Sequence, residues 1–184
     1  MTETAADTRF RRLYEEHHRA ILSYFLRRTD RNAAYDATED VYVTAWRNMD
    51  SVPEGEMELA WLYSVARGVL ANHRRKVQRF SRLVRRIRNE RPTVPLEPES
   101  QVILSFEHQA VLDALATLSD RDQEVLRLAV WEELPHAEIG EILGCSRGAI
   151  DVRVHRAMRR LVKAFDPSER KQDVRPAFIP EELS

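Results

Sequence analysis

Cysteine, glycine and long apolar runs are scarce in this chain of 184 residues. The single cysteine, Cys145, excludes an internal disulfide and agrees with a reducing, cytoplasmic location. The five glycines leave a chain rich in Arg, Glu, Leu and Ala, which favours helices. No apolar run reaches the length of a transmembrane helix, and the polar N-terminus is unlike a signal peptide. We therefore expect no membrane insertion.

The spacings that catalytic and metal sites need are also missing. The six histidines and one cysteine show no metal-ligand spacing. We find no phosphate-binding loop and no nucleophile with an adjacent base, and Ser146 is better explained as a helix cap than as a nucleophile. The sequence thus predicts no catalytic residue, no metal, no cofactor and no enzymatic activity.

The formal net charge of −1 conceals a strong segregation of charge along the chain. Residues 61–91 carry ten basic residues against one acidic, and residues 146–165 carry six against one. Between them, residues 92–145 carry eleven acidic residues against two basic. Basic blocks on two separate helical segments predict contact with a polyanion, whereas acidic blocks indicate a partner protein or simple solubility.

Apolar residues recur at helical spacing along the chain, as from Phe10 to Arg28, and no strand-like alternation of useful length occurs. Three prolines between Arg91 and Pro98 exclude a helix there. The sequence predicts an all-α fold of two small helical domains joined by a flexible Pro-rich linker. The predicted segments are a first domain at 1–89, the linker at 90–106, a second domain at 107–165 and a C-terminal tail at 166–184.

The second domain has the layout of a helix-turn-helix. A short helix from about His136 to Leu143 is followed by Gly144, which suits a left-handed turn, and by Ser146, which can cap the next helix. Gly140 has no side chain at the place where the second helix packs against the first. The alternative is an amphipathic helix with a basic solvent face, but turn, cap, small residue and charge together favour the DNA-binding motif. The predicted inner stripe of the second helix is Ile150, Val154, Met158 and Leu161, and the predicted DNA-binding residues are Arg147, Asp151, Val152, Arg153, His155, Arg156 and Arg159.

Asp151 is an odd residue for a helix that approaches phosphate. It could accept a hydrogen bond from a cytosine amino group, while Val152 could touch a thymine methyl. Equally, Arg147, Asp151 and His155 are spaced by four residues and could form a local ladder worth a few tenths of a kcal/mol. The residues alone do not choose between these two interpretations.

Taken together, the two halves resemble the sigma-70 family of bacterial RNA polymerase sigma factors, of the compact extracytoplasmic-function (ECF) kind. The resemblance covers roughly residues 10–80 and 107–164. The stretches that carry it are F-R-R-L-Y-E-E-H-H from residue 10, D-A-T-E-D-V-Y-V-T-A-W from 36, W-L-Y-S-V-A-R and N-H-R-R-K from 61 and 72, and L-S-D-R-D-Q-E-V-L from 118.

This resemblance implies three contact surfaces. Asp36, Glu39 and Asp40 would bind the clamp helices of the largest polymerase subunit, and the loop from residue 51 to 58 would form the pocket for a flipped base. Trp61 and Tyr63 could stack on bases, but their spacing favours core packing. The −10 element of the promoter, as a single strand, would contact Asn72, His73, Arg74, Arg75, Lys76 and Arg79, with Arg82, Arg85, Arg86 and Arg88 continuing the basic face toward the linker.

Some positions depart from the family pattern. Ala33 and Tyr35 replace an acidic pair, which implies docking through fewer charges. Asp151 and Val152 replace a basic residue and a serine, which implies an altered −35 preference.

The implied partners are core RNA polymerase, through its clamp helices and flap, and promoter DNA, as −10 single strand and −35 duplex. An anti-sigma factor is typical of the family, although no residue demonstrates one. The competing hypothesis is a free-standing helix-turn-helix regulator whose N-terminal domain dimerises or senses a signal. The basic block at residues 61–91 separates the two, because a dimerisation domain has no need of it.

Overall fold

The computed structural model describes residues 4–88 and 106–165, with the side chains of residues 82–88 and 106–108 left out of the description. Within these ranges the fold is all-α, as predicted, and contains no strand. The predicted linker and the C-terminal tail lie almost wholly outside the described residues. The α-helices are α1 (Ala5–Leu26), α2 (Arg31–Arg47), α3 (Met57–Arg88), α4 (Phe106–Ala116), α5 (Asp120–Leu126), α6 (His136–Leu143) and α7 (Arg147–Phe165).

The N-terminal unit is built from α1, α2 and α3, whose apolar stripes face one another. Ile21 and Phe25 of α1, Val41 of α2 and Leu62 of α3 are fully buried. Helix α1 begins at Ala5, earlier than the apolar period indicates, because Thr4 and the side chain at the third helical position form a capping box. Polar residues extend this helix beyond its buried stripe, so periodicity alone underestimates its length.

A short irregular segment separates α2 from α3 where the sequence predicts a break. A 3₁₀ turn at Met49–Ser51 is followed by Gly55, whose φ of +74° lies in the left-handed region that favours glycine. The chain then enters α3, a helix of 32 residues. This long helix therefore begins directly after an irregular loop.

The C-terminal unit packs α4 and α5 against α7, with α6 alongside. Ser119 caps α5 by accepting from the Asp122 amide at 3.3 Å, as the sequence predicts. Helix α5 does not continue regularly: the residues Arg127–Trp131 form a π-helical segment capped by Glu132, and at the next residue, Glu133, φ is +53°. A π-helical turn is wider than an α-helical one, so the side chains that follow it point in other directions than a regular helix would give them.

The two units also contact each other. Helix α3 packs against α6, and buried residues of both units belong to one continuous apolar cluster. The sequence predicts two units joined by a linker and contains no signal for this contact.

Candidate nucleic-acid interface

The exposed part of α3 carries the residues predicted to bind the −10 strand. Asn72 and Arg74 are exposed and His73 is half-buried. The Asn72 side-chain oxygen accepts a hydrogen bond from Arg75 at 2.6 Å, so this base-reading candidate is already oriented by a neighbour. The exposed cations that complete the surface are Arg75, Lys76 and Arg79.

Beside this basic surface lies an aromatic residue that sequence reasoning missed. Phe80 is 68% exposed and stands four residues after Lys76, so the two share one face of α3. An exposed ring among cations is the arrangement that stacks on unpaired bases. In the sequence Phe80 ends the basic stretch N-H-R-R-K-V-Q-R-F, and only the fold shows that most of its ring stays exposed. Tyr63, by contrast, is 2% exposed and Trp61 packs against the core, as the spacing favoured.

The loop before α3 is held from two sides. Arg9 of α1 donates to the carbonyl oxygens of Met49 at 3.1 Å, Val52 at 2.5 Å and Pro53 at 3.2 Å. At the end of the loop Glu58 is 1% exposed, and its carboxylate pairs with Arg12. The family resemblance implies that this loop forms a base pocket. The two arginines that position the loop were not predicted, because both contacts join residues some forty positions apart.

The outer face of α2 carries the predicted polymerase contacts. Asp36, Glu39 and Asp40 are all exposed. Val43 and Trp46 are 45% and 46% exposed and follow on the same face at helical spacing. The face therefore combines carboxylates with exposed apolar area, and exposed aromatic side chains such as Trp46 are enriched in protein-binding surfaces.

The helix-turn-helix forms as predicted. Gly144 adopts φ +65°, and Ser146 accepts from the Ala149 amide at 3.3 Å. Gly140 packs so closely against the turn that an added Cβ would lie 2.6 Å from the carbonyl oxygen of Cys145. The start of α7 is therefore held against α6 by backbone contact.

Helix α7 presents most of its predicted DNA-binding residues to solvent. Arg153 is half-buried, with a guanidinium nitrogen 3.8 Å from the Cys145 sulfur. The inner stripe needs one correction: Met158 is 37% exposed, and Ala157 is the buried residue of that turn. Met158 follows Ala157 directly, so its side chain points about 100° further around the helix, toward the edge of the buried stripe. The remaining predicted residues are exposed: Arg147, Asp151, Val152, His155, Arg156 and Arg159.

Asp151 is paired with a residue that neither interpretation considered. Its carboxylate lies 2.5 Å from Nδ1 of His136, the first residue of α6. The contact crosses the motif from α7 to α6, whereas the predicted ladder to Arg147 and His155 would run along α7. Both side chains are over a third exposed, so the pair is worth no more than about 1 kcal/mol.

A double-mutant cycle tests this pairing. Asp151→Ala is expected to lower the free energy of unfolding by about 0.5 kcal/mol in the wild-type background and by almost nothing in the His136→Ala background. In the Arg147→Ala background the loss should persist. Urea unfolding of the six proteins, three backgrounds each with and without Asp151→Ala, measures these losses. A loss abolished by Arg147→Ala instead would restore the ladder. Asp151→Lys in a selection of −35 duplexes would show separately whether Asp151 also reads a base.

Among the described residues, one group brings metal-ligating atoms together: Glu16, His17 and Glu58, within 4.8 Å of one another. The guanidinium of Arg12 pairs with both Glu58 and Glu16. A cation already occupies the position that a metal ion would take, so these residues fit a metal poorly. In the same ranges, no helix combines the length and apolar character that crossing a membrane requires.

Comparison with known proteins accounts for both units. The sigma-70 region 2 family matches residues 13–80, and the sigma-70 region 4 family matches residues 108–161. RNA polymerase sigma factor YlaC of Bacillus subtilis is 29% identical over 164 residues, covering 88% of this chain and 95% of its own. ECF sigma factor SigL of Mycobacterium tuberculosis is 29% identical, covering 82% and 85%.

Solved structures agree on the fold. The sigma factor RpoE of Bartonella quintana, in complex with the anti-sigma factor NepR, superposes with a TM-score of 0.63 at 24% identity, covering 84% of this chain and 95% of that one. CnrH, in complex with the cytosolic domain of CnrY, superposes at 0.54 and 21% identity, covering 89% and 88%. With both regions matched in order along one chain, this protein belongs to the sigma-70 family.

Proposed function

We propose that the protein is an ECF-type sigma factor, which binds core RNA polymerase, directs it to specific promoters and assists DNA melting at initiation. One observation carries the proposal: an acidic and apolar face on α2 and two basic helices, α3 and α7, are all exposed on one chain. We assign region 2 to residues 1–89 and region 4 to residues 107–165, joined by a linker at 90–106 and followed by a tail at 166–184.

The −10 element is bound by α3 as a melted single strand. Melting exposes base edges and ring faces that a duplex hides, and cations along the helix hold the phosphates. Asn72 offers an amide to a base edge, and Phe80 offers a ring for stacking beside Lys76. The loop that Arg9 and Arg12 position receives the flipped base.

The −35 element is bound by α7 as a duplex. The N-terminal part of a recognition helix meets base edges in the major groove, and cations nearer its C-terminal end reach phosphate. Arg147 and Val152 face the bases in this arrangement, while Arg156 and Arg159 bind the backbone. Because Asp151 is engaged with His136, the bases are read mainly by its neighbours.

Polymerase docks on α2. Asp36, Glu39 and Asp40 steer a basic partner surface into place, and Val43 and Trp46 supply apolar area that becomes buried. The protein itself is regulatory and performs no chemistry, since phosphodiester synthesis belongs to the polymerase. It acts where the polymerase acts, in the cytoplasm. The Bartonella quintana sigma factor was solved with an anti-sigma factor, and such a partner belongs to the proposal too.

Polymerase binding distinguishes a sigma factor from the competing function, a free-standing helix-turn-helix regulator. The full chain is expected to bind purified core polymerase and to give run-off transcripts from a subset of a promoter library. Asp36→Lys with Glu39→Lys and Asp40→Lys should abolish core binding and leave −35 duplex binding unchanged. Failure of the wild-type chain to bind core polymerase, with −35 duplex binding intact, would favour the regulator.

Substitutions in α3 and in α7 should each weaken binding of one promoter element only. Asn72→Ala is expected to weaken binding of −10 single strand about tenfold and leave −35 duplex binding unchanged. Arg156→Ala, a matched change on the other unit, should weaken duplex binding and leave the −10 strand and core polymerase binding unchanged. Fluorescence anisotropy with the two oligonucleotides measures both. Equal losses on both ligands would indicate misfolding and not lost contacts.

A further inference from the structure

His136, the first residue of α6, lies on the DNA-facing side of the helix-turn-helix, although the sequence identified it only as the start of a helix. Its Nδ1 is 2.5 Å from a carboxylate oxygen of Asp151. Asp151 is 49% exposed and stands in the second turn of α7, among the residues proposed to face the −35 duplex. A group within hydrogen-bond distance of that carboxylate lies at the same surface. His136 is therefore placed beside the duplex, at the edge of the recognition helix.

The pairing with Asp151 decides which edge of the imidazole a ligand meets. Because Nδ1 faces the carboxylate, the other ring nitrogen, Nε2, lies on the opposite edge of the ring. The side chain of His136 is 35% exposed, so part of the ring is open to a ligand. In a protonated imidazole both nitrogens are donors. A protonated His136 can thus donate from Nδ1 to Asp151 and from Nε2 to a second anion.

The anion that a donor at this position meets is phosphate. In a helix-turn-helix the second helix enters the major groove, while the first crosses the DNA backbone beside it. Helix α6 is held against the start of α7 by backbone packing, since a Cβ on Gly140 would lie 2.6 Å from the carbonyl oxygen of Cys145. The ring is therefore fixed in place by the ion pair and by the packing of its helix.

The charges around His136 make its protonation sensitive to the duplex. Asp151 favours a cation here, whereas the positive end of the α6 dipole opposes one. In the first turn of α6, burial raises the pKa of Glu138, and the nearby charge of Glu56 raises it further. A phosphate adds a second anion beside the ring, so binding of the duplex favours the protonated form. The charged groups that neighbouring elements bring toward this end of α6 are Asp151, Arg147 and His155 of α7, Glu132 and Glu133 after the π-helical segment, and Glu56 before α3.

We propose that Asp151 is a positioning residue and that His136, held by it, donates from Nε2 to a backbone phosphate of the −35 duplex. The bound state then holds the proton more tightly than the unbound state does. Affinity is therefore highest at low pH and falls as the pH rises through the range in which an imidazole loses its proton. Asp151 would repel phosphate if it stood alone, but through its neighbour it supplies a phosphate contact. This contact rests on the duplex binding by α7 that forms part of the proposed function.

The pH dependence of binding tests the proton. The probe is a short fluorescent duplex that the full chain selects from a random pool, and the background is His155→Gln, which removes a second imidazole from the DNA-facing side of α7. In this background, anisotropy is expected to show affinity about tenfold weaker at about pH 8 than at about pH 6. Adding His136→Gln should remove that difference. Adding His18→Gln, at a half-buried histidine of the other unit, should leave it. A difference that survives His136→Gln would overturn the proposal.

Salt dependence distinguishes a phosphate contact from a purely structural role. A cation that contacts phosphate releases a counterion, so at about pH 6 His136→Gln should reduce the slope of log affinity against log salt by about one. At about pH 8 the two slopes should agree. His136→Lys keeps a positive charge at both pH values and should bind at about pH 8 as the unchanged residue does at about pH 6. A role in stability alone would alter urea unfolding and leave the slopes equal, and that result would overturn the contact.

Asp151→Asn tests whether Asp151 acts through His136. The amide has nearly the shape of the carboxylate but no charge, so the protonated ring loses its anionic partner. The loss of affinity should then move to lower pH, and the difference between about pH 6 and about pH 8 should shrink to less than about threefold. In the His136→Gln background, Asp151→Asn should change the affinity by the same factor at both pH values. An undiminished pH dependence in Asp151→Asn would overturn the positioning role.

Failure of the proposed function gives a different result. A chain that binds the duplex with this pH dependence but does not bind core polymerase would be a helix-turn-helix regulator, and the contact of His136 would stand. Binding of the duplex without pH dependence in the His155→Gln background would overturn the contact and leave the proposed function unaffected. A chain that selects no duplex from the pool would overturn both.

Discussion

Gly140→Val is expected to disrupt the helix-turn-helix and to weaken binding of the −35 duplex at least about tenfold. A Cβ at this position would lie 2.6 Å from the carbonyl oxygen of Cys145, and a backbone atom cannot move aside as a side chain can. The amide nitrogen of Arg147 lies 3.6 Å from the same point, so relief of the clash must displace the start of α7. Overpacking of this kind costs about 1–3 kcal/mol.

Urea unfolding and anisotropy with a −35 duplex measure the two effects. Gly148→Ala is the matched control for stability, because it lies in the same motif and an added Cβ meets nothing within 4 Å. We expect that control to keep or slightly raise the free energy of unfolding, since alanine favours a helix over glycine by up to about 1 kcal/mol. Unchanged stability and unchanged DNA binding in Gly140→Val would contradict the close packing of α6 on the turn.

Arg12→Met is expected to lower the free energy of unfolding of the N-terminal unit by about 3 kcal/mol. The change leaves the carboxylate of Glu58, which is 1% exposed, without its guanidinium partner and with only His17, at 3.5 Å, as an ion-pair partner. A buried charge that loses its main partner is strongly destabilising. Because Glu58 lies at the first turn of α3, the preceding loop should also lose order. Binding of the −10 strand should therefore weaken even though no contacting residue has changed.

Two further variants show whether the pairing is the cause. Arg19→Met removes an exposed cation from the same helix and should leave stability nearly unchanged. Adding Glu58→Leu to Arg12→Met removes the stranded charge and should recover much of the loss. Thermal unfolding followed by circular dichroism measures all three. If the double variant were as unstable as Arg12→Met alone, lost packing and not the unpaired charge would explain the effect.

Local signals in the sequence were sufficient for the helices and the turn. Ser119, Gly144 and Ser146 act through atoms within a few residues of themselves, and each adopts the role that its type and position predict. Helix α1 begins earlier than its apolar stripe indicates, because a cap can extend a helix beyond that stripe. Met158 was misplaced because a 3.6-residue period leaves two neighbouring positions nearly equivalent at the edge of a stripe.

The exposure of three apolar residues at the candidate site could not be predicted from helical periodicity. Phe80, Val43 and Trp46 fit a helical period, and a period states which residues share a face but not what that face meets. Only the packed fold shows that these side chains remain exposed beside residues that the sequence had identified by charge. The surfaces proposed for base stacking and polymerase docking are therefore larger than the charged residues alone indicate.

By itself the sequence determined the all-α fold, the helix-turn-helix, the separation of charge into two basic helices and the family, because each depends on residue type at short spacing. Only the tertiary structure decided the partner of Asp151, the arginines that hold the loop before α3, and the packing of the two units through Arg28 and Glu132. These contacts join residues from fifteen to more than a hundred positions apart. These side chains meet only when folding brings distant parts of the chain together, and no local pattern records which opposite charge each will meet.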